Sequence, residues 1–130
     1  MANHDALLND LTFNDQGLIP AVIANAEDNA PLTLCYLNRD ALVKTIETGK
    51  VHVFRRSKGR LMLKGETSGH IQEVQGVFPD CEGRSLLIRV KQHVAGCHMG
   101  YMSCYFREYD PETGEYRIAE ERVFDPDKVY

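Results

Sequence analysis

The sequence lacks the marks of a membrane or secreted protein. No apolar run approaches the roughly 20 residues that a membrane-spanning helix needs. The first ten residues, MANHDALLND, have no basic stretch followed by a long apolar one, so no signal peptide is expected. We therefore expect the protein in the cytoplasm, with no membrane partner. There its four cysteines would stay reduced, which favours metal binding or catalysis over disulfides.

A broad excess of positive charge is also missing. The formal net charge of −4 argues against a surface for nucleic acid or for an anionic membrane. Positive charge is concentrated in residues 55–60, RRSKGR, which suits a small anionic ligand; the alternative is a solvated hairpin tip. The chain has no repeat and no linker, and its 130 residues suit one domain, 1–130.

Strand-like segments dominate the chain, and one helix stands out. Asn38 can cap a helix over Arg39–Thr48, and Gly49 can end it. A shorter helix is expected over residues 6–11. Strands are predicted at 18–25, 31–37, 51–56, 60–64, 70–78, 85–92, 101–109 and 116–123. This pattern predicts an α+β fold with a mainly antiparallel sheet and one or two short helices.

Three cysteines lie at the ends of predicted strands, beside glycine and polar residues: Cys81, Cys97 and Cys104. Three thiolates suit zinc, which takes four ligands and would keep one position for water. His98 could instead supply a fourth ligand and close a structural site. The sequence separations between the three cysteines are wider than the short gaps of zinc fingers. Spacing alone therefore leaves open the alternative that the three thiols are unrelated. Cys35 lies in an apolar stretch and is expected to be a buried small hydrophobe.

Asp80 and Glu82 flank Cys81 at alternate positions. In an extended segment both carboxylates would share one face and could bind a hard cation such as magnesium. The alternative is that both are solvated turn residues.

The segment 64–70, KGETSGH, is a second polar cluster. Lys64 offers charge for a phosphate, Thr67 and Ser68 offer hydroxyls, and His70 could transfer protons near neutral pH. His98 directly follows a presumed zinc ligand and is also a candidate acid or base. The alternatives are an ordinary loop between strands and a surface histidine.

Seven segments, taken in order, resemble the phosphoribosyl-AMP cyclohydrolase family. They are GLIPAV at 17–22, YLNRDAL at 36–42, ETG at 47–49, RSK at 56–58, KGETSGH at 64–70, DC at 80–81 and CHMGYMSC at 97–104. The resemblance implies a zinc hydrolase of histidine biosynthesis that opens the adenine ring of phosphoribosyl-AMP, a small phosphorylated nucleotide. It also implies an intertwined homodimer with shared zinc sites, in which Cys81 and the Cys97–Cys104 pair come from different chains.

The resemblance also implies roles for individual side chains. His98 or His70 would supply the proton for the departing nitrogen. Glu66 would bind a ribose hydroxyl or orient a neighbour. The candidates to hold phosphate and ribose are Arg56, Ser57, Lys58, Lys64, Thr67 and Ser68.

The sequence departs from the family pattern near its motifs. Where the family carries a third aspartate for magnesium, this chain has Arg84, a fixed positive charge that could contact phosphate directly. We therefore predict weak magnesium dependence. Tyr101 and Met102 replace two arginines, and tryptophan is absent. These departures keep two alternatives open: a paralogue acting on another amino-heterocycle or nucleotide, and a non-catalytic protein with a structural zinc.

Overall fold

The computed structural model describes residues 4–128. Residues 1–3 and 129–130 lie outside the described residues. Both ranges are part of the predicted domain 1–130, and residues 1–3 are also part of the N-terminal segment in which no signal peptide is expected. The elements are α1 (Asp5–Asp10), β1 (Ile19–Asn25), β2 (Pro31–Leu37), α2 (Arg39–Thr48), β3 (His52–Arg55), β4 (Arg60–Leu63), β5 (Gln72–Pro79), β6 (Leu86–Gln92), β7 (Arg107–Asp110), β8 (Glu115–Ile118) and a 3₁₀ turn (Pro126–Lys128).

Four strands form the main sheet, in the order β2-β1-β6-β5. β1 pairs antiparallel with β2 and parallel with β6, and β5 pairs antiparallel with β6. The strands β3 and β4 form one separate antiparallel hairpin, and β7 and β8 form another. The predicted α+β fold with a mainly antiparallel sheet and two short helices is confirmed. The homodimer and the assignment of residues 1–130 to one domain stay predictions.

The core lies on one face of the main sheet. Because alternate residues of a strand share a face, the two central strands bury every second side chain. These side chains are Ile19, Ala21 and Ile23 of β1 and Leu86, Ile88 and Val90 of β6. Ala41 and Leu42 of α2, together with Val53 of β3, belong to the same cluster. The helix and the β3–β4 hairpin are therefore fixed to the sheet by apolar burial.

Helix α2 begins and ends at the predicted residues. The Asn38 side chain accepts a hydrogen bond from the Ala41 N–H at 2.8 Å, which caps the helix. Gly49 ends it with a φ of +73°, in the left-handed region that glycine adopts without strain. The buried Thr45 hydroxyl donates to the Ala41 carbonyl and accepts from the His52 N–H at 2.9 Å. This contact joins the helix to β3.

Two predicted strands are wrong in their extent. The strand predicted at 101–109 is observed only over Arg107–Asp110. The strand predicted at 116–123 is observed only over Glu115–Ile118. Residues 101–106 belong to a folded loop, and residues 119–128 form a tail that runs back along that loop. Neither helix within residues 4–128 has the length and apolar composition of a membrane span.

Candidate active site

A cavity of about 1750 Å³ lies between β2, the β3–β4 hairpin, the segment 64–70 and residues 95–104. It brings together most of the predicted site residues from both ends of the sequence. Those that line it are Arg56, Ser57, Lys64, Glu66, Thr67, Ser68, His70, His98 and Cys104. Within one chain, the other predicted polar residues do not line it: Lys58, Asp80, Glu82 and Arg84.

Residues 96–104, here called the cysteine loop, reverse direction within a few residues. The Gly96 N–H donates to the Met102 carbonyl at 2.8 Å, and the Cys97 N–H donates to the Tyr101 carbonyl at 3.1 Å. The Cys104 N–H then donates to the carbonyl of Leu32 in β2 at 2.7 Å. These bonds bring Cys104 back beside Cys97. They also explain why residues 101–106 do not extend as a strand.

The two thiols of the cysteine loop lie side by side in different surroundings. Cys97 is buried, and its sulfur accepts a hydrogen bond from the Met99 N–H at 3.4 Å. Burial, and then the neighbouring Cys104, raise the pKa of the Cys97 thiol. Cys104 is exposed at the cavity wall. Adjacent soft donors of this kind fit zinc, whose charge would favour both thiolates and offset the cost of burial.

Cys81 is separate from this pair within one chain. It is exposed on the turn between β5 and β6. No three His, Cys, Asp or Glu side chains converge on a possible metal position within residues 4–128. A single chain therefore brings together two of the three predicted zinc ligands. A site completed by Cys81 of a second chain stays a prediction.

The turn that carries Cys81 gives the carboxylates of Asp80 and Glu82 local partners, and their binding of magnesium stays a prediction. One Asp80 oxygen accepts hydrogen bonds from the N–H groups of Glu82 and Arg84, and the other accepts from the Ser85 hydroxyl at 2.6 Å. The Ser85 hydroxyl and then the Arg84 N–H lower the pKa of the Asp80 carboxyl. Arg84 lies 4.0 Å from a Glu82 oxygen. Both carboxylates thus have local partners, and the guanidinium opposes a cation.

His70 differs from His98 in its surroundings. It is buried at the cavity wall, and its Nδ1 has no hydrogen-bond partner among the described residues. Its ring packs edge-on against Phe124 of the tail, with centroids 4.7 Å apart. His98 is exposed at the same cavity. The cavity therefore offers one buried and one solvated imidazole.

A pair of glutamines connects the two loops that carry these histidines. Gln72 is fully buried and donates to the Gln92 side chain at 2.7 Å. The Gln92 amide nitrogen lies 3.2 Å from the His70 carbonyl and 3.1 Å from the Ala95 carbonyl. The pair thus fixes the start of the cysteine loop relative to the His70 loop.

Sequence reasoning missed several residues of the cavity. The Arg56 guanidinium lies 4.2 Å from the centroid of the Tyr36 ring, which also lines the cavity. Arg122 and Asp127 reach it from the tail, whose irregular sequence gave no signal. Cys35 is half-buried at the wall, and burial raises the pKa of its thiol to about 12. Cys35 was expected to be a buried small hydrophobe, and it is instead half-buried, because one side of it faces the cavity.

Comparison with known proteins identifies the family. Residues 33–106, more than half of the chain, match the family model described as phosphoribosyl-AMP cyclohydrolase. The phosphoribosyl-AMP cyclohydrolase of Methanothermobacter thermautotrophicus is 42% identical over 91% of this chain and 86% of its own length. The enzyme of that name from Haloarcula marismortui is 47% identical over 93% of this chain and 97% of its own.

A longer relative is also similar. The histidine biosynthesis bifunctional protein HisIE of Thermoanaerobacter pseudethanolicus is 44% identical over 95% of this chain, which spans 56% of that protein. The family match and these identities lead to one conclusion. The chain belongs to the phosphoribosyl-AMP cyclohydrolase family, whose members are hydrolases acting on a nucleotide.

Proposed function

We propose that this protein hydrolyses phosphoribosyl-AMP in histidine biosynthesis, opening the adenine ring in a zinc-dependent reaction. The observation that carries the proposal is the cavity, where a thiol, two imidazoles and a cluster of cationic and hydroxyl groups meet. Its volume of about 1750 Å³ accommodates a nucleotide that bears a second phosphoribosyl group. The relatives that carry this name support the same substrate.

The side chains of the cavity suit recognition of such a substrate. Arg56 and Lys64 supply positive charge for a phosphate, and Ser57, Thr67 and Ser68 supply hydroxyls for phosphate and ribose oxygens. Glu66 can accept hydrogen bonds from ribose hydroxyls. These contacts would hold the purine ring beside the cysteine loop.

The reaction adds water to a ring carbon, breaks one carbon–nitrogen bond and transfers a proton to the departing nitrogen. Zinc held by Cys97 and Cys104 would supply Lewis-acid activation of water. His98 or His70 would deliver the proton, since an imidazole can both accept and donate one. The protein further contributes orientation, because the glutamine pair fixes the two histidine-bearing loops relative to each other. Magnesium takes no part in this scheme. The cytoplasmic location stays a prediction.

The direct test is turnover. Purified, zinc-loaded protein would be incubated with phosphoribosyl-AMP while ultraviolet absorbance follows ring opening. Turnover is expected for the wild type. A folded protein that holds zinc and leaves this substrate unchanged would contradict the proposal. Turnover of another amino-nucleotide would then favour a paralogue, and none at all would favour a structural zinc.

We further propose that the zinc site is shared across a homodimer, with Cys81 from the partner chain. The test mixes two inactive variants, Cys81→Ser and Cys104→Ser, after joint unfolding and refolding. Half of randomly formed dimers are then mixed, and each mixed dimer holds one intact site of two, so about a quarter of wild-type activity should return.

A matched mixture provides the control. Cys97→Ser and Cys104→Ser change the same half of the proposed site, so no mixed dimer regains an intact one, and activity should stay absent. Equal recovery in both mixtures, or none in either, would contradict a shared site.

A further inference from the structure

The tail, residues 119–128, runs back along the cysteine loop. The Ala119 N–H donates to the Phe106 carbonyl at 2.8 Å, directly after β8 ends. The Ser103 N–H donates to the Glu120 side chain at 3.1 Å, and the Val123 N–H donates to the Gly100 carbonyl at 2.7 Å. Two hydrogen bonds to the cysteine loop, and a third to Phe106 just beyond it, therefore hold the tail in place.

Gly100 allows the tail to approach this closely. It has a φ of +100°, and a Cβ built there would lie 2.6 Å from the Phe124 carbonyl oxygen. The same Cβ would lie 3.3 Å from Cγ and Cδ of Arg122. The aliphatic part of Arg122 thus lies close to the backbone of Gly100, where a side chain would crowd it.

The guanidinium of Arg122 rests on an aromatic stack. It lies 5.6 Å from the centroid of the Tyr101 ring, and that ring stacks on Phe106 at 3.9 Å with the planes 9° apart. Arg122 is exposed, lines the cavity and takes part in no ion pair within the described part of the chain. A guanidinium placed over an aromatic ring keeps N–H groups available for a planar or tetrahedral anion.

The cavity therefore has two cationic regions on different elements. Arg56, braced on Tyr36, and Lys64 belong to the β3–β4 side, whereas Arg122, braced on Tyr101, belongs to the tail. Phosphoribosyl-AMP carries two phosphates, one on each ribose. Two separate cationic regions match a ligand with two separate dianions better than a single cluster would.

We propose that Arg122 binds one of the two substrate phosphates, while the β3–β4 side binds the other. This inference rests on the proposed function for the identity of the nucleotide. Arg122 acts here as a binding residue, and the tail makes it part of the site. Loss of a charge-assisted hydrogen bond of this kind, at about 1.4 kcal/mol, corresponds to about a tenfold weaker complex.

The test uses the full, zinc-loaded protein. Arg122→Ala should raise KM for phosphoribosyl-AMP about tenfold and change kcat little, and Arg122→Lys should recover part of the loss because it keeps the charge. Arg117→Ala is the matched control. Arg117 lies on β8, pairs with Glu108 and does not line the cavity, so its removal should leave KM unchanged.

Direct binding separates this inference from the proposed function. AMP and ribose 5-phosphate each carry one phosphate, and calorimetry would measure both with wild type and Arg122→Ala. Binding of one probe should weaken about tenfold and the other should be unchanged. Three results would overturn the role of Arg122. They are affinities for both probes that Arg122→Ala leaves unchanged, an equal loss of affinity for both probes in that variant, and no binding of either probe to the wild type. These outcomes are read without turnover, whereas failure of the wild type to hydrolyse phosphoribosyl-AMP would overturn the proposed function alone.

Discussion

Replacing Gln92 by methionine would test the buried glutamine pair, which connects the His70 loop to the cysteine loop. Methionine has a similar length and volume, so the change removes hydrogen bonds without opening a large cavity. Gln72, which is fully buried, would lose the acceptor that lies 2.7 Å from its amide nitrogen. The carbonyls of His70 and Ala95 would lose their donor at 3.2 and 3.1 Å.

The expected cost follows from these groups. A buried donor or acceptor without a partner costs about 1 to 3 kcal/mol. The carbonyls near the Gln92 amide nitrogen, which include that of His93 at 3.1 Å, share its two N–H groups, so we expect a loss of about 2 to 4 kcal/mol. A single domain is stable by about 5 to 15 kcal/mol, so the variant should still fold. With a urea dependence of about 2 kcal/mol/M, the unfolding midpoint should fall by about 1 to 2 M.

Urea unfolding at one fixed protein concentration would measure the effect, because association can add to apparent stability. Gln75→Met is the matched control, since Gln75 lies in β5, which pairs with the strand of Gln92, and is exposed. The variant should also retain less zinc, because the start of the cysteine loop would no longer be fixed. A midpoint for Gln92→Met within about 0.3 M of the Gln75→Met midpoint would refute the reasoning.

Three further predictions concern the metal sites and helix α2. Three variants should each lose zinc and activity: Cys81→Ser, Cys97→Ser and Cys104→Ser. Metal analysis should show that the control, Cys35→Ala, keeps its zinc. Full activity in any of the three serine variants would contradict the ligand set. Activity at fixed zinc should respond weakly to magnesium, whereas Arg84→Asp should create a response; a collapse of wild-type activity on selective magnesium chelation would count against this. Asn38→Ala should remove the cap of α2 at a cost of about 1 kcal/mol and lower Tm by about 4 °C. Asn38→Asp can still cap the helix, so its Tm should be close to that of the wild type. The same Tm for both variants would show that the cap is unimportant.

Local signals account for the parts of the fold that were predictable. Helix α2 agrees residue for residue, because Asn38 and Gly49 determine its ends through their own side-chain and backbone chemistry. The segment 101–106 was not predictable. Its aromatic residues have high strand propensity, but bonds to Gly96, Cys97 and Leu32 bend it into a loop. The parallel pairing of β1 with β6 joins residues far apart in sequence, and strand composition carries no information about it.

The candidate site divides in the same way. Compact motifs such as 64–70 and 97–104 indicated residues that the cavity brings together. Spacing could not indicate that Cys81 lies apart from Cys97 and Cys104 within one chain, because that depends on the path of β5 and β6. Arg122 was missed since its position at the cavity depends on the packing of the tail against Gly100, a contact without a local sequence pattern.

The position of β1 has a consequence for engineering shorter versions of the protein. The family match begins at residue 33, whereas β1 ends at Asn25 and lies between β2 and β6 in the main sheet. A fragment cut at the match limits would lose an internal strand and the buried side chains of Ile19 and Ile23. Both neighbouring strands would then expose unpaired edges, and such a fragment would aggregate instead of folding. Expression boundaries should therefore begin upstream of Ile19.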